Sequence, residues 1–137
     1  MIRRQRAPRS GVAAVELAVL VPLLAVLFCI AVDWSRIFYY SVVIENCARN
    51  GAVWASDPYS GVVSPYPDMT TAALADAQGI SPTPTVTRND GTDATTGYPY
   101  VECTVTYTFT TVSNFPLIPS STTLTRTVRM YITPQVP

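Results

Sequence analysis

Three patterns of hydrophobic and polar positions follow one another along the chain. In the first, from Val12 to Val32, every residue is apolar except Glu16, if Pro22 is counted as apolar. The run is 21 residues long, and a helix needs about 20 to cross a bilayer. This pattern predicts a membrane-spanning helix that carries one carboxylate.

The second pattern, from Ser35 to Ser56, is amphipathic and continues the helix until Asp57-Pro58 ends it. Glu45 and Arg49 lie four residues apart, in the order that favours an ion pair on a helix surface. We expect one helix from about Val12 to about Ala55, roughly 65 Å long, of which half projects beyond the membrane. Its apolar side chains recur at spacings of three and four, on one face: Ile37, Tyr40, Ile44, Cys47, Ala48 and Ala52.

The third pattern is a period-two alternation that predicts β-strands. It is clearest from Tyr100 to Val112, where apolar side chains alternate with Glu and Thr, and Phe115-Pro116 is expected to end this strand. A second strand is expected from Thr122 to Thr133, where Arg126 interrupts the apolar face, and a weak one near Thr83–Arg88.

The segments between these patterns carry turn and cap signals. We expect a loop from Asp57 to Pro67, followed by a short helix that Asp68 caps and that runs through Ala77 to a stop at Gly79. The dipeptide Asp90-Gly91 predicts a tight turn.

Together the patterns predict an α+β fold, in which a long N-terminal helix packs its projecting half against a small C-terminal antiparallel sheet. Two strands with one apolar face are marginal alone and need a helix against that face. The chain then has four parts: a basic leader (1–11), a transmembrane helix (12–33), its amphipathic continuation (34–56) and an extracytoplasmic β-rich domain (57–137).

The charges are distributed unevenly, although the formal net charge is zero. Four arginines precede the apolar run, and the rest of the chain has five arginines against nine acidic residues. The positive-inside rule places the N-terminus in the cytoplasm and the C-terminal part outside. The aromatic residues Trp34, Phe38, Tyr39 and Tyr40 are then expected at the outer face of the membrane. No basic field remains for nucleic acid. The arginines of the leader are Arg3, Arg4, Arg6 and Arg9.

Catalytic and metal-binding chemistry has little support in this sequence. There is no His and no Lys, and no catalytic set or phosphate-binding loop is visible. The oxygen-rich segment Asn89–Asp93 lacks the fuller calcium-loop pattern, and an ordinary turn is the simpler interpretation. We expect neither an enzyme nor a bound cofactor or metal.

Two of the three cysteines fall on the side of the membrane that is expected to be oxidising. Cys47 lies on the projecting helix, and Cys103 lies on the inward face of the clearest strand. They could form a disulfide that ties the sheet to the helix. The alternative is two buried thiols.

Another interpretation of the apolar run is a cleaved secretory signal. Such a signal has an apolar region of about 7–15 residues that ends in small residues. Here the run is longer, includes Glu16 and ends near Cys29-Ile30-Ala31, a poor cleavage site. A membrane anchor therefore fits better.

The residues around Gly11 resemble the processing signal of type IV prepilins. A basic leader ends at Gly11, four apolar residues follow, and Glu16 precedes the hydrophobic run. The resemblance implies cleavage after Gly11 by a prepilin peptidase, which makes Val12 the new N-terminus. It also implies that Glu16 pairs with the amine of a neighbouring subunit and so sets their register. The alternative is a carboxylate that lies one turn inside the membrane and is partly hydrated at the lipid headgroups.

The segment from Arg9 to Ser56 is similar to TadE-like proteins, the minor pilins or pseudopilins of tight-adherence (Tad/Flp) pilus machines. The similarity rests on Val15-Glu16-Leu17-Ala18, Val21-Pro22 and the run Asn46-Cys47-Ala48-Arg49-Asn50-Gly51-Ala52. Leu17 stands where the related signals often have Tyr or Phe, and Cys47 and Asn50 also depart from the usual residues.

This resemblance implies a pilin-like membrane subunit that assembles or primes a tight-adherence pilus. Its implied partners are other pilin or pseudopilin subunits in a homo- or hetero-oligomer, the prepilin peptidase, an inner-membrane assembly platform and membrane lipid. Its implied location is the bacterial inner membrane, and a second implied location is a pilus on the cell surface. The alternative from the residues alone is an unprocessed single-pass protein whose β domain binds a ligand.

Overall fold

The computed structural model describes residues 10–111 and 120–133. One long helix, two short helices and a three-stranded antiparallel sheet make up this part of the chain, so the predicted α+β fold is confirmed. The expected strand break at Phe115-Pro116 lies outside the described residues. The elements are α1 (Ser10–Ser56), α2 (Ser60–Val63), α3 (Met69–Leu74) with a 3-10 turn (Ala75–Ala77), β1 (Thr85–Thr92), β2 (Pro99–Thr110) and β3 (Ser121–Tyr131).

Helix α1 is continuous over 47 residues, which is about 70 Å at 1.5 Å per residue. Pro22 lies inside it and does not divide it, as is common in helices of membrane proteins. The bounds agree with the predicted Val12 and Ala55 within two residues. The amphipathic segment thus extends the apolar one as a single rod.

The sheet is a meander in which β2 lies between β1 and β3. Val105 of β2 lies opposite Val86 on one side and Arg126 on the other. The predicted alternation of β2 is confirmed, because its apolar residues are buried. These are Val101, Cys103, Val105, Tyr107 and Phe109.

The buried face of the sheet packs on the C-terminal half of α1, where the facing helix residues are small. A Cβ added at Gly51 would lie 2.5 Å from Cys103 Sγ and 3.0 Å from Ala73 Cβ. The helix, β2 and α3 therefore meet at a point that has no room for a side chain. Ile44, Cys47, Ala48, Ala52 and Ala55 complete the helix side of this core.

Aromatic rings extend the core toward the membrane half of α1. The ring of Tyr40 lies 5.1 Å from the rings of both Tyr107 and Phe109, between centroids. Arg126, which interrupts the apolar face of β3 as predicted, donates from Nη2 to Ser41 Oγ at 2.6 Å. This arginine therefore ties the sheet to the helix.

The segment between α1 and the sheet follows the sequence prediction with one difference. The Asp68 carboxylate accepts a hydrogen bond from the Thr71 backbone N–H at 2.8 Å, so it caps α3 as expected. The predicted loop, however, contains the short helix α2 at Ser60–Val63. Asp57 forms a local turn before this helix, because its carboxylate accepts from Tyr59 N–H at 2.9 Å, and the helix itself has no side-chain cap at Tyr59.

The tight turn predicted at Asp90-Gly91 is wrong, because both residues lie inside β1. Gly91 pairs with Tyr100, and a Cβ at Gly91 would lie 2.5 Å from the Tyr100 hydroxyl oxygen. The glycine thus makes room for a cross-strand ring. The weak strand predicted near Thr83–Arg88 corresponds to β1, which begins at Thr85 and continues to Thr92.

The turn between β1 and β2 instead forms around Asp93. Its carboxylate accepts from the backbone N–H groups of Thr95 and Thr96, at 2.8 and 3.0 Å, and from the Tyr131 hydroxyl at 2.8 Å. Gly97, at φ +73°, supplies the left-handed residue that the turn requires. These hydrogen bonds, the Thr96 N–H first, lower the pKa of Asp93 to about 2.

Replacement of Gly51 tests the close approach of helix and sheet. We expect Gly51→Val to destabilise the folded state by about 1–3 kcal/mol, because the new side chain overlaps Cys103 and Ala73. Urea unfolding of the full chain in detergent measures this loss. Gly61→Val is the matched control, since nothing lies within 4 Å of a Cβ at Gly61, and a shift of equal size there would contradict the explanation.

The lowered pKa of Asp93 predicts an acid-dependent loss of stability. The ionised carboxylate stabilises the fold above its ordinary pKa of about 4, and this stabilisation is lost as the pH falls toward about 2. Asp93→Asn should therefore be less stable than the native chain at pH 6 and equally stable near pH 2. Thermal unfolding across that range measures the difference. Tyr131→Phe removes one of the three donors and should give a smaller loss of the same sign.

Candidate functional site

The N-terminal half of α1 is not covered by the rest of the described chain. Its most apolar window has none of its residues buried, and α1 is the one helix in residues 10–111 and 120–133 that is long and apolar enough to cross a membrane. Most of the large side chains of this half are exposed, Val12 by 65% and Phe28 by 70%. A surface of this kind needs lipid or other apolar side chains around it.

Glu16 lies within this apolar surface, on the second turn of α1. It is exposed, and no hydrogen bond or ion pair to it occurs within the described residues. Gly11 and Val12 lie in the first turn, where nothing comes within 4 Å of a Cβ built at Gly11. The structure therefore places the predicted processing residues and the carboxylate on one short exposed stretch of helix, and it leaves their roles as predictions.

A second carboxylate, Asp33, marks the place where the rest of the chain begins to cover α1. Its side chain is 1% exposed, and it lies 3.8 Å from the Arg36 guanidinium. That guanidinium lies over the ring of Phe109, 4.7 Å from its centroid. The end of β2 thus contacts the helix directly beyond the apolar run. The sequence offered no signal for this cluster beyond an acidic and a basic residue three positions apart.

Beyond Asp33 the helix keeps an exposed face that turns away from the sheet. Trp34, Phe38 and Val42 are exposed by 53%, 66% and 59%, and the rings of Trp34 and Phe38 lie 6.3 Å apart. Glu45 and Arg49 are exposed on the same side. The ion pair expected between them is not formed within the part of the chain that the structure describes, so that prediction is wrong for the single chain.

Cys47 and Cys103 are both buried in the core between α1 and β2, and the structure has both as free thiols. Burial raises the pKa of Cys103 to about 11, and the pKa of Cys47 is raised for the same reason. Both thiols are therefore protonated at neutral pH and shielded from reagents. The structure brings together the two cysteines named from the sequence, and the disulfide between them stays a prediction.

A groove of about 430 Å³ lies at the far end of α1, beside α2. Trp54 and Tyr66 line it, and the Trp54 indole N–H donates to the Tyr66 carbonyl at 3.1 Å. Val63 of α2 also lines the groove and is 71% exposed. Sequence analysis placed this region in a loop and did not identify the groove.

Metal-ligating side chains do not gather at any of these places. Within the described residues no group of three or more Cys, Asp or Glu side chains is close enough to hold an ion. The segment considered for calcium, Asn89–Asp93, is mostly strand, and Asp90 pairs with Arg88 at 2.8 Å.

The fold and this helix define an α+β, pilin-like chain with one helix suited to a membrane. Comparison with known proteins makes the class more specific, because the family model described as TadE-like protein matches residues 11–53. The resemblance to TadE-like proteins is thereby confirmed over that segment. No curated protein and no solved structure matches the chain.

The matched segment contains most of the candidate residues described above. It begins at Gly11, includes Glu16 and the exposed aromatic face, and ends just after Gly51, where the helix meets β2. The sheet lies outside it. The family relation therefore concerns the helix and the residues by which it contacts its surroundings.

Proposed function

We propose that this chain is a pilin-like subunit that is anchored by α1, processed after Gly11, and used to assemble or prime a tight-adherence pilus. The observation that carries the proposal is Glu16, which is exposed and has no partner among the described residues, in an apolar helix that matches the TadE-like family. The role is structural and involves no catalysis by this chain.

The charge of Glu16 is the physical reason for expecting a partner. A carboxylate at the centre of a spanning helix costs roughly 2.5–3.5 kcal/mol on insertion scales, and the cost for Glu16, which lies nearer the N-terminal end of the span, is smaller. Cleavage after Gly11 would create a cationic amine on Val12, since an α-amino group has a pKa of about 7.7–8.0. A neighbouring subunit could then offset the cost by placing its amine beside this carboxylate.

The direction of the helix follows from the charges at its ends. Four arginines precede Gly11, so the N-terminal end is expected in the cytoplasm and the α+β head outside. A peptidase at the cytoplasmic membrane face would then reach the bond after Gly11. Prepilin peptidase, other pilin or pseudopilin subunits and an inner-membrane assembly platform are the partners that this arrangement requires.

One observation favours a second candidate function. The groove lined by Trp54 and Tyr66 is open and partly apolar, as a binding site for a small ligand or peptide would be. An unprocessed single-pass protein with this groove as a binding site is the alternative. It gives Glu16 no role, which is why we favour the pilin-like subunit.

The mature N-terminus distinguishes these functions. We expect protein from membranes of a host with a prepilin peptidase to have lost residues 1–11, as measured by intact mass, since that peptidase cuts after the glycine of its signal. Gly11→Ala should keep the full mass, and so should native protein from a host without the peptidase.

Gly61→Ala is the matched control, because its surroundings are as open as those of Gly11 and it lies far from the leader. It should be processed like the native chain. Native protein that retains Arg3 to Arg9 in the first host would contradict the pilin-like function and favour the anchored binding module.

A further inference from the structure

The face of the sheet that turns away from α1 carries rows of threonine hydroxyls. Cys103 and Val105 of β2 are buried against the helix, and successive side chains of a strand point to opposite faces. We call the other face the open face; it consists of the even-numbered residues from Tyr100 to Thr110 and their partners in β1 and β3. Three hydroxyl pairs join β2 to β3 on it, with oxygen–oxygen distances of 2.8, 3.3 and 3.3 Å: Thr104–Thr127, Thr106–Thr125 and Thr108–Thr123.

These hydroxyl pairs keep hydrogen-bonding capacity for a further molecule. A hydroxyl donates one hydrogen bond and accepts through two lone pairs, so a bonded pair retains one proton to donate and lone pairs that can accept. The bond between the two threonines also holds their side chains in place, which reduces the ordering that binding would require. The six side chains are exposed or half-buried. The open face therefore presents a row of prepared donors and acceptors.

Two tyrosine rings lie at one end of the open face. Tyr98 and Tyr131 are exposed by 60% and 50%, and their ring centroids are 6.4 Å apart. The Tyr131 hydroxyl donates to Asp93 at 2.8 Å, which fixes that ring. The same end of the sheet adjoins the C-terminal end of α1, because Thr133 N–H donates to the Ser56 carbonyl at 3.0 Å. The tyrosines thus lie at the end of the head farthest from the apolar half of the helix.

The charged side chains of the open face are already bonded within the chain. Arg129 donates from Nε to Glu102 Oε1 at 2.8 Å and covers the ring of Tyr100, 4.0 Å from its centroid. Asn89 donates to the other oxygen of Glu102 at 3.2 Å. Among the described residues these two, with Asp93 at the turn, are the charged groups on this face. A charged ligand would therefore find no free counter-charge there.

We propose that the open face binds an extended, neutral, β-linked polysaccharide, with a sugar ring stacked on Tyr98 and Tyr131 and with sugar hydroxyls bonded to the threonine pairs. The negative face of an aromatic ring attracts the C–H groups of a sugar ring. A β-linked chain such as cellulose or chitin is extended and presents ring faces and hydroxyls along its whole length. The open face is about 34 Å long from Tyr100 to Thr110, at about 3.4 Å per residue, which accommodates several sugars.

The composition of the open face favours a polysaccharide over other macromolecules. The centre of a protein interface is usually apolar, whereas the centre of this face consists of threonines. Nucleic acid requires free cationic side chains for its phosphates, and Arg129 is held by Glu102. The binding role goes beyond the proposed pilin-like function and does not depend on processing after Gly11.

Sedimentation with insoluble cellulose and with insoluble chitin tests the proposal on the full-length chain. The detergent must have no sugar head group, because such a head group would compete for the open face. We expect the native chain to sediment with at least one polysaccharide and to be released by soluble oligosaccharides of the same sugar. Chitin alone would indicate recognition of N-acetylated sugars, as in cell walls, and cellulose alone would indicate plain glucans; both results support the proposal.

Two variants separate the contributions of the rings and of the hydroxyls. Tyr98→Ala should lower the affinity for the polysaccharide several-fold, since it removes a stacking ring, and Tyr59→Ala is the control because that tyrosine is 55% exposed beside α2. The double variant Thr106→Val with Thr125→Val removes one hydroxyl pair without changing its shape, and it should also bind several-fold more weakly. Thr122→Val is its control, because Thr122 lies opposite Phe109 on the buried face.

A native chain that sediments with neither polysaccharide would overturn the proposal, and so would binding that Tyr98→Ala and the double threonine variant leave unchanged. Equal or tighter binding to alginate, an anionic polysaccharide, would overturn the neutral ligand. Thermal unfolding of each variant shows whether it is folded. Intact mass reports processing separately, so a processed native chain that binds no polysaccharide refutes this role and leaves the proposed function standing.

Discussion

The structure depends on the close contact between the sheet and one half of a single helix. This contact is closest around Gly51, where the helix residues that face β2 are small and no side chain fits between the helix and Cys103. Larger residues there would hold the sheet away and expose the apolar face of β2. The constraint divides α1 into a half that builds the core of the head and a half that remains exposed.

This division explains how one element can serve both the fold and the proposed assembly. The exposed half has the apolar surface and Glu16, and the covered half begins at Asp33, beside Phe109 and Arg36. Because the helix is continuous over 47 residues, the axial position of Glu16 fixes the axial position of the head. A contact that sets register near the N-terminus would therefore also order the heads of neighbouring copies.

Features with a regular period could be predicted from the sequence. In α1 and in β2 the buried side chains all lie on one face of the element. Apolar residues therefore recur in the sequence at a period of 3.6 in the helix and of two in the strand, and this period is visible without the structure. The cleavage site at Gly11 and the pairing of Glu16 were inferred from a sequence motif. The family model matches the segment that contains both residues. Their roles remain proposals.

Features made by single contacts between distant residues could not be predicted. Asp90-Gly91 had the local signal of a turn, but the position of Tyr100 on the next strand places Gly91 inside β1. The turn forms three residues after Asp90, at Asp93, whose carboxylate accepts a hydrogen bond from the Tyr131 hydroxyl of β3. Likewise, nothing in the sequence alone shows that Gly51 faces Cys103. Such contacts depend on the tertiary arrangement, which local propensity does not contain.

The central claim is that the charge of Glu16 is satisfied by a neighbouring subunit. Co-purification of two differently tagged full-length copies from membranes, with Glu16→Gln in both, tests it most directly, because Gln keeps the size of the side chain and removes the charge. The account predicts that these copies insert and are processed normally but no longer co-purify, while Glu16→Asp retains part of the association. Copies with Glu16→Gln that associate as the native chains do would contradict it.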